Sequence, residues 1–216
     1  MNSYPSWVRY LIVGHFPENK TSDRIKIGLQ TIYLMLQRKL MNKDHAFVKA
    51  KLQSLWSKAA AKDPDSLAQD WLIGDLYSVV RPNLFPIMSR VMKQELDAIL
   101  ATAAAGEYAI PLGKKLGFKF ILATPPFGTP GAGEENYGSV KRDRVLALLK
   151  ENGWEDRPRI FFTDHADDMP LIEVCGKIFW FGPAANIQTM KTAHPDKKIL
   201  NGLDLDGKEA FAALSE

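Results

Sequence analysis

Residues 159 to 172 read RIFFTDHADDMPLI, with Asp164, Asp167 and Asp168 crowded directly behind an apolar run. Carboxylates this close repel one another unless something compensates. A hard divalent cation is one compensation. Magnesium takes carboxylate oxygens and keeps several waters, so one or two protein carboxylates suffice. A helix start is another, because its exposed N–H groups and dipole favour acids, and Asp164 and Asp167 can cap a following helix. The two readings are compatible. Asp164 and Asp168 stand about one helical turn apart and so can point the same way.

Two further residues suit an anion. Lys141 falls in the first turn of a helix expected over 139–151, where the dipole disfavours a cation. Either water solvates it, or the helix start and the lysine jointly face an anion such as phosphate. Thr102 ends the run AILAT at 98–102, where a hydroxyl and the following N–H groups can hold a phosphate oxygen. It also reads as an ordinary turn residue. His165 is either a base or a surface histidine, and His15, His45 and His194 show no ligand spacing. There is no Cys/His metal cluster, no G-x-S-x-G and no P-loop.

The elements that must position these residues fall into two textures. Residues 5 to 80 read as helices only. Ser22 is a candidate N-cap, followed by Ile25, Leu29, Ile32, Leu36 and Leu40 on one face. Asp44 can cap a second helix carrying Val48, Leu52, Leu55 and Trp56. Asp63 or Asp65 can start a third, with Leu67, Trp71, Leu72, Leu76 and Val79. Such a set packs as a small antiparallel bundle.

From Arg81 onward, helical and strand-like patterns alternate. Helices are expected over 84–96, 106–117, 139–151 and 168–176; strands over 98–103, 118–124, 159–163 and 177–182. Gly153 is a good stop for the third helix. This alternation predicts an α/β fold with a mostly parallel sheet covered on both faces. Open sheets of this kind bind ligands beyond the carboxyl ends of their strands, where Thr102, Thr124 and the aspartates fall.

The totals narrow the class. The 216 residues, 46% apolar and 25% charged, suit a soluble globular chain with a real core. No apolar run reaches the ~18 residues of a membrane helix, and no signal-peptide pattern opens the chain. The single Cys175 excludes an internal disulfide and suits a reducing cytoplasm. A formal charge of +3, evenly spread, gives no argument for nucleic acid. The expectation is a cytoplasmic protein with neither a membrane nor a nucleic-acid partner.

The order of parts resembles the haloacid-dehalogenase-like (HAD) phosphatases, in the branch that includes phosphoserine phosphatase. ILATAAAGEYAIPLGKKLGF resembles the second motif of that family, with Thr102 in the Ser/Thr position. Lys141 in YGSVKRDR is similar to the third-motif lysine. TDHADDMPLI resembles the metal-binding fourth motif, with Asp164 leading and Asp168 as the second acid. Thr163 stands where glycine is frequent, and Asp167 where asparagine is. The resemblance covers most of residues 81 to 182. It implies a three-layer Rossmann-like core over 81–216 with a helical cap over 1–80. It implies magnesium-dependent hydrolysis of a small phosphomonoester through an aspartyl-phosphate. Thr102 and Lys141 would bind the phosphate, and Asp164 and Asp168 the metal.

The first motif of the family, D-x-D-G-T on the first strand, does not precede the helices. NSYPSWVRYLIV resembles the segment that follows it. A wrong start, a split gene or degeneration into a pseudoenzyme each account for this. Without the nucleophile, covalent catalysis has no attacking group, and very low or no phosphatase activity is expected. The sheet would also lack a central strand and expose backbone edges. The alternative function is a binding or regulatory protein using the residual phosphate pocket, or a homo-oligomer burying the edge. Asp204 and Asp206 form a late D-x-D-G with Lys208 where threonine is expected, in a segment read as a polar turn rather than a buried strand.

Overall fold

The computed structural model describes residues 4–13, 19–41, 44–60, 74–75 and 81–204. The chain divides into two compact units. One comprises Met1–Val80, Thr102–Lys115 and Ala123–Glu135; the other comprises Arg81–Ala101, Leu116–Leu122 and Asn136–Glu216. A cut after Val80 is thus one of several, and two later segments group with the N-terminal residues. The third helix expected from Asp63 or Asp65, and Asp206, lie outside the described residues.

The first unit holds helices α1 (Tyr4–Val13), α2 (Thr21–Leu40) and α3 (His45–Ala60). Its core is aromatic. Trp7 and Tyr10 of α1 are fully buried, with ring centroids 6.5 and 5.5 Å from that of Trp56 on α3. Val48 and Leu52 of α3 are buried as well. Asp44 accepts the Ala46 N–H at 3.3 Å, as a cap should. Ser22 does not cap: α2 begins one residue earlier, at Thr21, with Lys20 at the N-cap and no side-chain bond there. The packed face of α2 also differs from the one its long apolar stripe suggests. Ile27, Gly28 and Thr31 are the buried residues, and Ile25, Leu29, Ile32, Leu36 and Leu40 are exposed. The reason is close approach. A Cβ on Gly28 would lie 2.6 Å from the Ile12 carbonyl oxygen, so α1 meets α2 along its small residues.

The second unit holds α4 (Phe85–Met92), which follows a 3₁₀ turn at Pro82–Leu84. Two strands pass through both units: β1 (Ile99–Ala105), followed by α5 (Gly106–Lys115), and β2 (Phe120–Thr124). Then come α6 (Gly138–Glu151), β3 (Ile160–Thr163), a 3₁₀ turn at Ala166–Asp168, α7 (Met169–Ile172), β4 (Lys177–Trp180), α8 (Ala185–Ala193) and β5 (Lys198–Asn201). Strands β3, β4 and β5 form a parallel sheet in that order, with Ile160 opposite Lys177 and Lys177 opposite Lys198. The 198–201 segment, expected as a polar turn rather than a buried strand, is instead an edge strand with Ile199 buried, and its edge position tolerates Lys198. The helix expected to reach residue 96 stops at Met92, where Gln94 takes φ +58°. The helix expected over 168–176 shrinks to one turn.

Strands β1 and β2 pair in a second sheet, and among the described residues no ladder joins it to β3–β4–β5. Within the second unit, both sets of strands lie on the same helices. Val145 and Leu149 of α6 and Leu171 of α7 pack against Ile99, Ala101 and Leu122, and also against Phe161 of β3. The architecture is α/β, with parallel strands layered by helices. No described helix is long and apolar enough to cross a membrane.

Candidate functional site

The aspartate cluster starts where β3 ends. Thr163 is the last residue of the strand, and its carbonyl accepts the Phe181 N–H at 2.8 Å, which closes the strand end against the residue following β4. The Thr163 hydroxyl then donates to Asp168 Oδ2 at 2.6 Å. The other oxygen of Asp168, Oδ1, accepts from the ammonium of Lys141. Both members of this ion pair are withdrawn from water, their side chains 7% and 14% exposed.

This geometry explains the unfavourable position of Lys141. It lies in the first turn of α6, and its own N–H bonds Tyr137 O at 3.3 Å. A buried cation at the positive end of a helix requires a nearby anion, and Asp168 supplies it. Solvation does not account for this lysine, because the side chain is buried. An ammonium carries three N–H donors. Asp168 is its side-chain partner among the described residues and takes one of them.

Asp164 and Asp167 take other partners. Asp164 is half exposed, with its Oδ2 3.9 Å from Arg81 Nη2. Arg81 also reaches the Phe181 carbonyl at 3.4 Å and lies 5.4 Å from the centroid of its ring. Asp167 lies beside His165, whose Nδ1 is 2.8 Å from the carboxylate and 3.3 Å from the Asp167 amide. A neutral ring accepts from the amide, and a protonated one donates to the carboxylate. The capping expected of Asp164 and Asp167 is performed by His165, which precedes the 3₁₀ turn. That turn, rather than a regular α-helix, separates Asp164 from Asp168, so their side chains face different partners.

Thr102 belongs to the first unit. It lies inside β1, not at its end, because the alanines after it extend the strand to Ala105. Its hydroxyl accepts the Ala104 N–H at 3.1 Å.

The first unit has a polar cluster of its own, which the sequence reading missed. Lys49 on α3 is 4% exposed and donates to Ala103 O, to Thr124 Oγ1 at 3.1 Å and to Glu135 Oε1 at 2.7 Å. One turn on, Gln53 donates to Glu107 Oε2 at 2.8 Å and to Pro125 O at 3.1 Å. Lys49 and Gln53 share a helix with the aromatic core, and no motif marks them. Their signal was weak: a lysine and a glutamine at i and i+4, interleaved with Val48 and Leu52.

The fit to a divalent ion is poor. Both oxygens of Asp168 are engaged, and among the described residues no group of three or more His, Cys, Asp or Glu is arranged to hold a metal. The carboxylates at the end of β3 therefore do not form a ready-made magnesium site, and no chemical step is derived through one.

No protein-family model matches the chain, and no curated protein does. Among solved structures, it is similar to a protein with unknown function from Bordetella pertussis Tohama I. The TM-score is 0.68 at 15% identity, over 93% of this chain and 92% of that one. At that identity the likeness shows the fold alone.

Proposed function

We propose that this chain is a haloacid-dehalogenase-like protein that binds a small phosphomonoester and does not hydrolyse it. In this reading residues 81–216 correspond to the phosphatase core and 1–80 to the cap. The observation that carries the proposal is the buried Lys141 at a helix start, with one donor on Asp168. Asp168 orients the ammonium, and Thr163 orients Asp168. Asp164 lies just past the end of β3, with Arg81 3.9 Å from its carboxylate.

Among the described residues the strands fall into two ladders with none between them, which supports a core lacking a central, nucleophile-bearing strand. Hydrolysis through an aspartyl-phosphate needs that nucleophile, and positioning does not replace it. The competing reading, an active magnesium-dependent phosphatase, differs in one measurable respect. Turnover of p-nitrophenyl phosphate with magnesium should not exceed background. Robust turnover that disappears in Asp164→Ala would favour the enzyme.

Binding is tested by thermal shift with inorganic phosphate. At ten times its dissociation constant, a ligand selective for the native state adds about 1.4 kcal/mol, which for a chain of this size raises Tm by roughly 3–6 °C. Lys141→Met should abolish that increment. A shift that survives the substitution would place the anion elsewhere.

A further inference from the structure

We infer that α2 is a self-association helix, which pairs with α2 of a second copy in antiparallel orientation. Helix α2 is 20 residues long and buries Ile27, Gly28 and Thr31 on one side. On its other side stand Ile25 (59% exposed), Leu29 (62%), Ile32 (41%) and Leu36 (48%), with Tyr33, Leu40 and Met41 also exposed. Single exposed apolar residues are ordinary, but a contiguous row of them along one helix marks an interaction surface.

The spacing of the row identifies the partner. Ile25, Leu29, Ile32 and Leu36 are separated by four, three and four residues. This is the alternation of a two-helix seam, and it reads the same from either end. A second copy laid antiparallel on the first therefore offers matching spacing: Ile25 meets Leu36 and Leu29 meets Ile32, each contact occurring twice about a two-fold axis, as an isologous interface requires.

The charges select the same orientation. Lys26 and Lys39, both exposed, border the row. A parallel copy would set each lysine against its own equivalent. The antiparallel register places Lys39 near Ser22 and Lys26 near Met35. It also sets the positive end of one helix beside the negative end of the other.

The area suits a weak dimer. The four seam side chains, each offering on the order of 100 Å², give roughly 400 Å² per partner, at the small end of specific interfaces, where association is weak. The inference is independent of the phosphate reading, since it uses only one helix and its spacing.

The test is sedimentation of the full chain across about 1–100 µM, where interfaces of this size associate. The expected result is a dimer that Leu29→Glu combined with Ile32→Glu dissociates, raising the dissociation constant at least ~30-fold. Both positions are exposed, so circular dichroism should stay unchanged, as should Tm measured at concentrations where both chains are monomeric. Orientation is read by cross-linking. Ile25→Cys protein should form disulfides with Leu36→Cys protein and not with itself, and the native Cys175 is buried and does not interfere. A chain monomeric throughout would overturn the inference, as would a dimer unaffected by the glutamates. Cross-linking of Ile25→Cys to itself would overturn the antiparallel arrangement. A monomer that binds vesicles containing phosphatidylserine through the same face would make α2 a membrane-surface helix instead.

Discussion

Replacing Asp168 with alanine removes the partner of a buried cation. The Lys141 side chain is 7% exposed and sits at a helix start, so it cannot recover its hydration without opening α6. Breaking a buried ion pair by removing one member costs about 3–5 kcal/mol. Asp168 is somewhat more accessible than Lys141, which places the loss near the lower end, at about 3 kcal/mol. Losing the Thr163 hydroxyl bond adds on the order of 1 kcal/mol. The combined loss of roughly 4 kcal/mol corresponds to a Tm about 8–16 °C lower. The double variant Asp168→Ala with Lys141→Met removes both charges and should recover most of this, because the remaining groups need no counter-charge. Urea unfolding of the four proteins closes a double-mutant cycle, and a coupling energy of about 2 kcal/mol or more is expected. A coupling near zero, or a loss below about 1 kcal/mol in Asp168→Ala, would refute the ion-pair reasoning.

Gly28→Ala places a methyl 2.6 Å from the Ile12 carbonyl oxygen and should cost about 1–3 kcal/mol, read as a lower urea midpoint. Trp7→Ala empties the centre of the first unit's aromatic core and should cost about 3–5 kcal/mol by the same measurement. Burial pushes the Cys175 thiol up to about 11, so Ellman's reagent at pH 8 should label it at least ~10-fold more slowly in the native than in the unfolded chain. The unfolded thiol ionises first as pH rises, so Cys175 should also lower folding stability between about pH 9 and 11. A Cys175→Ala chain should show a shallower decline over that range.

Much of the second unit was legible because its periodicities are local. The runs at 98–103, 118–124, 159–163 and 177–182 are apolar, β-rich and bounded by turn residues, and all became strands. Helix α6 matched its expected bounds within one residue, with Gly153 at φ +64° just beyond it. The stripe on α2 misled, because its amphipathic pattern says which side is apolar and not which side the neighbours cover. Gly28 and Thr31 allow closer backbone approach than Leu29 or Leu36, and that decided the packing. Two polar clusters, one in each unit, had no local signature. Whether Asp168 holds a metal or a lysine depends on where α6 places Lys141, 27 residues away in sequence. The Lys49 cluster joins α3 to residues more than 50 positions later.

Phosphorus NMR of a simple phosphomonoester mixed with the protein and magnesium tests the central claim in one experiment, because it reads binding and hydrolysis together. The account predicts a broadened or shifted monoester resonance, no growth of inorganic phosphate, and a return to the free line position with Lys141→Met. An unperturbed resonance, or inorganic phosphate that accumulates and ceases to do so in Asp164→Ala, would contradict it.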